Sequence, residues 1–400
     1  MKLAKTLLLS AAILMMAGPA IAQTAIKIGV LNDRSGIYAD LSGEGSVIAA
    51  RMAVEDFEAA AKGINVEIVS ADHQNKPDIA SSIARQWYDQ DGVDLIVDVP
   101  TSSAAFAVSD ITKEKNKVFI NSGAGSADLT GSKCSPNTLH WTYDTWALAK
   151  STGGAMVAAG NTKWFFITAD YAFGQALEKD TTDVVLKAGG EVVGTVKHPF
   201  PGTDFSSFLL QAQASGAQVI GLANAGGDTV NTIKQASEFG ITQGGQSLAG
   251  LLIFITDIHA LGLETAQGLV LTESFYWDLN DNTRAWSERF AGLSGGKKPT
   301  MVHAGVYSGV LHYLKSVEAT GGKDSAALIA SMKAMPTSDT VLGEGSVRED
   351  GRKLHDMYLF KVKAPSASTG DWDYYETLAT IPAAEAFRPL ADGGCPLVAQ

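Results

Sequence analysis

Apolar and polar positions along this chain switch repeatedly between two periods. Residues 25–31 (AIKIGVL) make a short apolar run suited to a buried strand, and 44–61 then set Val47, Ala50, Ala53, Val54 and Phe57 on one side at helical spacing. The exchange continues with a strand at 66–70, a helix capped by Asp78 and running through Tyr88, a strand at 93–99, a helix at 102–113 and a strand at 117–121. Apolar strands separated by helices predict a parallel sheet covered on both faces. A second series starts after Asp144: helix 146–159, strand 163–168, helix 174–188, strand 191–198, helix 205–215, strand 218–223, helix 229–239 and strand 250–255. The pattern predicts two similar α/β units in tandem.

The last third is less regular. A strand at 268–274, helices near 283–293, 302–318 and 325–332, and strands near 357–362 and 374–378 are too few for a third domain. They are expected to complete both earlier units, which makes the chain cross between them more than once. Residues 382–400 carry Pro382, Pro389 and Pro396 without periodicity and read as a surface tail.

The N-terminus changes the compartment. Lys2 and Lys5 precede a short apolar core, and Ala20-Ile21-Ala22 supplies small residues for cleavage, so 1–22 reads as a secretory signal peptide. Its apolar run is shorter than the roughly 20 residues that span a bilayer. No lipobox cysteine follows, and a soluble protein exported to the periplasm is expected. The remaining 378 residues exceed one ordinary core. Without Lys2 and Lys5 the chain has 43 acidic and 29 basic residues, which argues against nucleic acid or anionic lipid as partner. Cys134 and Cys395 are the two cysteines and read as a disulfide in an oxidising compartment, tying the tail to a loop in the first third. No metal-ligand spacing is present, and no cofactor is expected.

Enzyme signatures are sparse. Gly292-Leu-Ser294-Gly-Gly296 matches the nucleophile-elbow letters, but a helix precedes it where the motif needs a strand, so it reads as a helix-ending loop. Gly43-Glu-Gly45-Ser46 lacks the third glycine of a dinucleotide fingerprint. What recurs is polar, glycine and aromatic residues just past strand ends, where open α/β sheets hold ligands. They are Ser102 and Ser103, the stretch Ser122-Gly123-Ala124-Gly125-Ser126, Asp170-Tyr171-Ala-Phe173-Gly174, Asn224-Ala-Gly-Gly-Asp228, and Asp257. Hydroxyls and backbone N–H groups suit a carboxylate, an acid such as Asp257 suits an ammonium, and Tyr38, Tyr143, Tyr171 and Phe173 offer flat apolar faces. Thr101, Ser102 and Ser103 have two readings, as helix caps or as ligand contacts at a helix N-terminus.

In order and spacing, the segments Ile26-Lys-Ile-Gly-Val-Leu, Ala49-Ala-Arg-Met-Ala-Val-Glu-Asp56, Pro100-Thr-Ser-Ser103, Asn121-Ser-Gly-Ala-Gly-Ser-Ala-Asp-Leu-Thr130, Asp170-Tyr-Ala-Phe-Gly174 and His303-Ala-Gly-Val-Tyr307 carry a resemblance. The chain resembles the periplasmic substrate-binding proteins of ABC importers, in the leucine/isoleucine/valine-binding branch. The resemblance covers nearly the whole mature chain. It implies two doubly wound α/β lobes with parallel sheets, hinged by three crossovers, with a small carboxylate held between them. Lobe 1 is expected at 23–143 plus 276–345 and lobe 2 at 144–275 plus 346–381. The resemblance implies no catalysis, an inner-membrane ABC permease as partner, and a monomer. It puts the ligand carboxylate on Ser102 with backbone contacts from Gly123, Ala124 and Gly125, a cover from Phe173, and the ammonium on Asp257. Two departures stand out. Gly125 replaces the usual threonine, and Ala225-Gly226 replaces a common aromatic, which is expected to open space for an aromatic or keto acid. Two rivals are a ligand-sensing module for a receptor kinase and a hydrolase using Ser294.

Overall fold

The computed structural model describes residues 24–398, so the expected signal peptide lies outside the described residues. The first lobe alternates β1 (Thr24–Asn32), α1 (Gly43–Asp56), β2 (Ile64–Asp72), α2 (Pro77–Asp89), β3 (Leu95–Asp98), α3 (Ser102–Glu114), β4 (Val118–Asn121) and β5 (Thr138–His140). Its sheet has the order β2-β1-β3-β4-β5, and every pairing is parallel. β3 and β4 are buried throughout, as strands with helices on both faces must be.

The second lobe opens with α4 (Thr145–Leu148), which runs through a π-helical turn (Ala149–Gly153) into α5 (Gly154–Ala158). β6 (Lys163–Ala169), α6 (Ala172–Lys187), β7 (Glu191–His198), α7 (Ser206–Ala214), β8 (Val219–Ala223), α8 (Gly227–Glu238) and β9 (Ser247–Gly250) follow, with sheet order β7-β6-β8-β9, again all parallel. α9 (Ile255–Leu261), α10 (Leu263–Ala266) and β10 (Val270–Glu273) complete the series. The chain then returns to the first lobe with α11 (Asp281–Leu293), α12 (Met301–Thr320) and α13 (Ser325–Ala334). A small antiparallel sheet of β11 (Thr337–Asp339), β12 (Gly343–Val347) and β13 (Lys353–Leu354) follows. β14 (Met357–Val362) crosses back and pairs antiparallel with β10, and β15 (Tyr375–Ile381) pairs antiparallel with β14.

Several local expectations are corrected. The crossover expected at 345/346 falls inside β12, and Arg352 still bridges to His140 of the first lobe. Pro77 opens α2 after Lys76, so Asp78 sits inside the first turn and does not cap it. The strand expected at 250–255 is β9, which ends at Gly250; the apolar run Leu251–Phe254 leaves the sheet and turns into α9. The tail is not loose surface: Ala386 and Phe387 are buried, and the Phe387 ring lies 4.0 Å from the Arg352 guanidinium. The Ser294 motif is a helix-ending loop as expected. α11 ends at Leu293, and the Ser294 hydroxyl donates to the Lys297 carbonyl at 2.8 Å.

Arg352 is buried where the first and third crossovers run side by side. It donates to the carbonyls of Tyr143 (3.0 Å), Trp141 (3.2 Å) and Lys353 (3.0 Å) and pairs with Asp144 at 3.5 Å. Burial pulls its guanidinium down to about 10, which still leaves it charged at neutral pH.

Cys134 and Cys395 form the expected disulfide, closing 261 residues of sequence separation. In the chain-entropy account, closing so long a loop stabilises by restricting the unfolded chain. The double variant Cys134→Ser/Cys395→Ser is expected to keep the fold and lose about 2–5 kcal/mol. Urea denaturation against the oxidised parent checks this.

Candidate functional site

A small, tightly closed cleft lies between the lobes. The first lobe supplies Tyr38, Leu41, Pro100, Gly123 and Gly125, the first crossover supplies Tyr143, and the second lobe supplies Tyr171, Phe173, Ala225, Leu252 and Phe254. Each stands just past the carboxyl end of a parallel strand: β1, β3, β4, β5, β6, β8 or β9. That is where a doubly wound sheet leaves its crevice.

Six expected residues meet on this wall: Tyr38, Gly123, Gly125, Tyr143, Tyr171 and Phe173. The other six stand behind it. The Ser102 hydroxyl accepts the Ser126 N–H at 3.2 Å, so it grips the loop that carries Gly125. Thr101 is the residue before α3 but makes no side-chain cap; its hydroxyl donates to Asn75 instead. Ser103 is half-buried beside it. Ala124 is pinned under the loop, donating to Asn121 Oδ1 at 3.1 Å while its carbonyl takes His140 Nε2 at 2.8 Å. The buried Ser122 hydroxyl has no partner. Asn224 is tied up with His198, Thr232 and Thr229. Asp257 caps its own helix, accepting the Phe254 N–H at 2.9 Å.

Leu41, Pro100, Ala225, Leu252 and Phe254 complete the wall; of these, Pro100 and Ala225 entered the sequence reading within quoted segments, and Leu41, Leu252 and Phe254 did not. Leu252 and Phe254 carried one usable signal, since a strand ended by Gly250 puts them past the sheet.

Glycine at 125 has a spatial reason. A Cβ there would come within 2.8 Å of the Phe173 ring and 2.9 Å of Tyr143, so two aromatic edges fill the place a side chain would take. The same holds at Gly226, whose Cβ would lie 2.7 Å from the Ile37 carbonyl and 2.9 Å from the Tyr38 ring. The extra space expected from Ala225-Gly226 is therefore taken up at 226, and only Ala225 faces the cavity. Beneath the floor, Asp98 and Val99 both adopt positive φ, 83° and 57°. Such backbone costs of order 1–3 kcal/mol per residue and persists only where packing imposes it. Here it turns β3 sharply into Pro100 under the Gly123 loop. The Tyr143 hydroxyl donates to the Gly123 carbonyl. The Gly125 N–H has no acceptor among the described residues.

A periplasmic binding protein family model matches residues 25–370. The chain belongs to the periplasmic binding protein family. It is 26% identical over 383 residues to the Leu/Ile/Val-binding protein homolog 6 of Brucella melitensis, covering 93% of this chain and 95% of that protein. A periplasmic binding protein of Burkholderia mallei is 52% identical with a TM-score of 0.91, covering 94% of this chain and 99% of that one. A branched chain amino acid ABC transporter periplasmic ligand-binding protein of Burkholderia xenovorans is 40% identical with a TM-score of 0.83, covering 93% and 99%. The family is one of solute-binding components of ABC transporters and not of enzymes; a receptor-kinase sensor finds no support in these likenesses.

The electrostatics of this binding protein are lopsided. The cavity wall carries no cation, while buried acids surround it. Asp98 accepts from Ser42 (2.6 Å) and Asn32 (3.1 Å), with the Ser46 and Ser122 hydroxyls facing it outside hydrogen-bonding geometry. Burial raises its carboxyl despite these donors. Burial pushes Asp257 up to about 7, against the Phe254 N–H that lowers it. Glu273, accepting from Tyr375 at 2.9 Å, is raised well above the usual range by burial. Asp228 accepts the Gly202 N–H at 2.9 Å through one oxygen, and its other oxygen has no partner.

Burial pushes the Asp228 carboxyl up from 3.8 to about 7. The folded state then holds a proton that the unfolded chain has lost, so this group costs stability progressively as pH rises from about 4 to 7. Asp228→Asn keeps an oxygen for Gly202 and removes that cost. Its stability advantage over the parent is expected to grow through this window to at most about 4 kcal/mol and to level off above it. Buried His73 and His303, each pulled down to about 4 by burial, act with the opposite sign. The difference between variant and parent in urea titrations is therefore the readout. A difference flat from about pH 4 to 8 refutes the assignment.

Proposed function

We propose that this protein is the exported component of an ABC-type importer and that it captures a small carboxylate with an apolar or aromatic body. The observation that carries the reading is the division of labour around the cavity. One side offers hydrogen-bond donors near the amino end of α3: the Gly125 N–H, and the Ser102 hydroxyl proton, which has no acceptor among the described residues. The other side offers the Tyr171, Phe173, Leu252 and Phe254 faces. Donors at a helix N-terminus hold an anion without a cationic side chain, and apolar faces take the body of the solute. The ligand would favour closure because it touches both lobes. The protein would work as a monomer that hands its solute to an inner-membrane permease.

Calorimetric titration of the ligand-stripped mature protein tests this. The panel is L-leucine, L-phenylalanine, 4-methylpentanoate, benzoate and 4-hydroxybenzoate. Binding by at least one is expected; heat from none of them, with the protein folded, removes the carboxylate reading. L-leucine against 4-methylpentanoate isolates the ammonium, because the two share a skeleton. With the best binder, Ser102→Ala is expected to weaken affinity by about 1.5–3 kcal/mol, the range for a hydrogen bond to a charged group. Unchanged affinity takes Ser102 out of the site.

A further inference from the structure

The lobes touch at a place that needs no solute. On the second lobe, Gly226 precedes α8 with φ 57° and ψ −133°, a conformation open to glycine and strained for other residues. On the first lobe, the loop after β1 pushes Ile37 and Tyr38 against it. The Gly227 N–H donates to the Ile37 carbonyl at 3.3 Å, joining the two lobes through backbone. A Cβ at Gly227 would stand 3.2 Å from the Ile37 side chain, and one at Gly226 would strike the Ile37 carbonyl and Tyr38 ring. The same insertion carries the Tyr38 hydroxyl to within 2.6 Å of the Tyr171 hydroxyl and its ring to 5.7 Å from Phe200. Phe200 in turn stacks on Tyr171 at 4.1 Å. One first-lobe residue is thus gripped on three sides by the second.

We propose that Gly226 and Gly227 are the receiving half of an interlobe catch for Ile37 and Tyr38. Gly226 is a positioning residue. It acts through Tyr38, which it admits into the cleft as a wall of the cavity. The catch favours the closed arrangement independently of what fills the cavity, because both of its halves are protein. It also fixes which side chain closes that wall: a larger residue at 226 would exclude Tyr38 and leave the cleft ajar.

The test needs no ligand. Spin labels on the exposed positions Arg51 of α1 and Lys234 of α8 report interlobe distance in the mature, ligand-stripped protein. The parent is expected to show a populated short-distance state. Gly226→Ala is expected to lower the ratio of short to long distances at least about tenfold, since such a ratio shifts only with a differential interaction. Gly216→Ala is the control for backbone strain, with a similar φ of 69° and open space around it; it is expected to match the parent. Tyr38→Phe removes only the hydroxyl contact and is expected to lower the ratio in the same direction. It carries the test if Gly226→Ala does not fold by circular dichroism. A Gly226→Ala distribution equal to the parent's, or an unchanged one for Tyr38→Phe, overturns the catch. Failure of every carboxylate to bind would not alter this readout, so the two readings fail separately.

Discussion

Two lobes can share one cavity only if the strands joining them are held in fixed register, and here a single buried guanidinium does this. The crossovers pass through the interior, where the carbonyls at 141 and 143 need donors, and an orphaned buried carbonyl is costly. Arg352 answers both from the third crossover. Its own charge is met by Asp144 and by the Phe387 ring from the tail. Breaking a buried pair from one side is costly because it strands the other charge. The arrangement also reaches the site. Tyr143, whose carbonyl Arg352 holds, sends its hydroxyl to the Gly123 carbonyl on the cavity wall. Hinge and ligand floor are therefore two ends of one residue.

The lobes were legible because their signal is local. Apolar runs of strand length between amphipathic helices specify parallel sheets with few alternatives, and both sheets follow that pattern. The disulfide was legible from two cysteines and a compartment. The small antiparallel sheet from 337 to 354 was not, since its short, polar strands carry no periodicity. The site was half legible. Aromatics and glycines past strand ends pointed to the wall, but Leu41, Leu252 and Phe254 look like core residues in any local window. Arg352, Lys353 and His355 read as surface charge in sequence, yet all three are fully buried. Their partners Tyr143, Ser308 and Trp141 lie more than forty residues away along the chain, beyond any pattern of spacing.

The hydroxyls after β3 show why residue type alone misleads. Serine and threonine before a helix usually cap it, and Thr101 occupies that position. Its hydroxyl is drawn away by Asn75, and Ser102 reaches across to the next loop. The strained pair Asp98–Val99 stands just before this turn, with φ of 83° and 57°. The helix N-terminus is left uncapped by its own side chains, which keeps its N–H groups oriented toward the crevice side of the sheet.

The second lobe treats the helix after β9 in the opposite way. Asp257 accepts the Phe254 N–H at 2.9 Å, so the start of α9 already has a carboxyl on it. An anion arriving there would meet a donor that is already taken. An anion arriving near α3 would meet the Gly125 N–H and the Ser102 hydroxyl, both without acceptors among the described residues, with the Asp98 carboxyl buried behind Gly123. In the reading proposed above, the solute would lie with its carboxylate toward the first lobe and its apolar body toward Tyr171, Phe173 and Phe254. Closure then brings two chemically unlike surfaces together around one molecule. Only a solute with both characters, an anionic end and an apolar end, would satisfy both at once and shift the lobes toward the closed state.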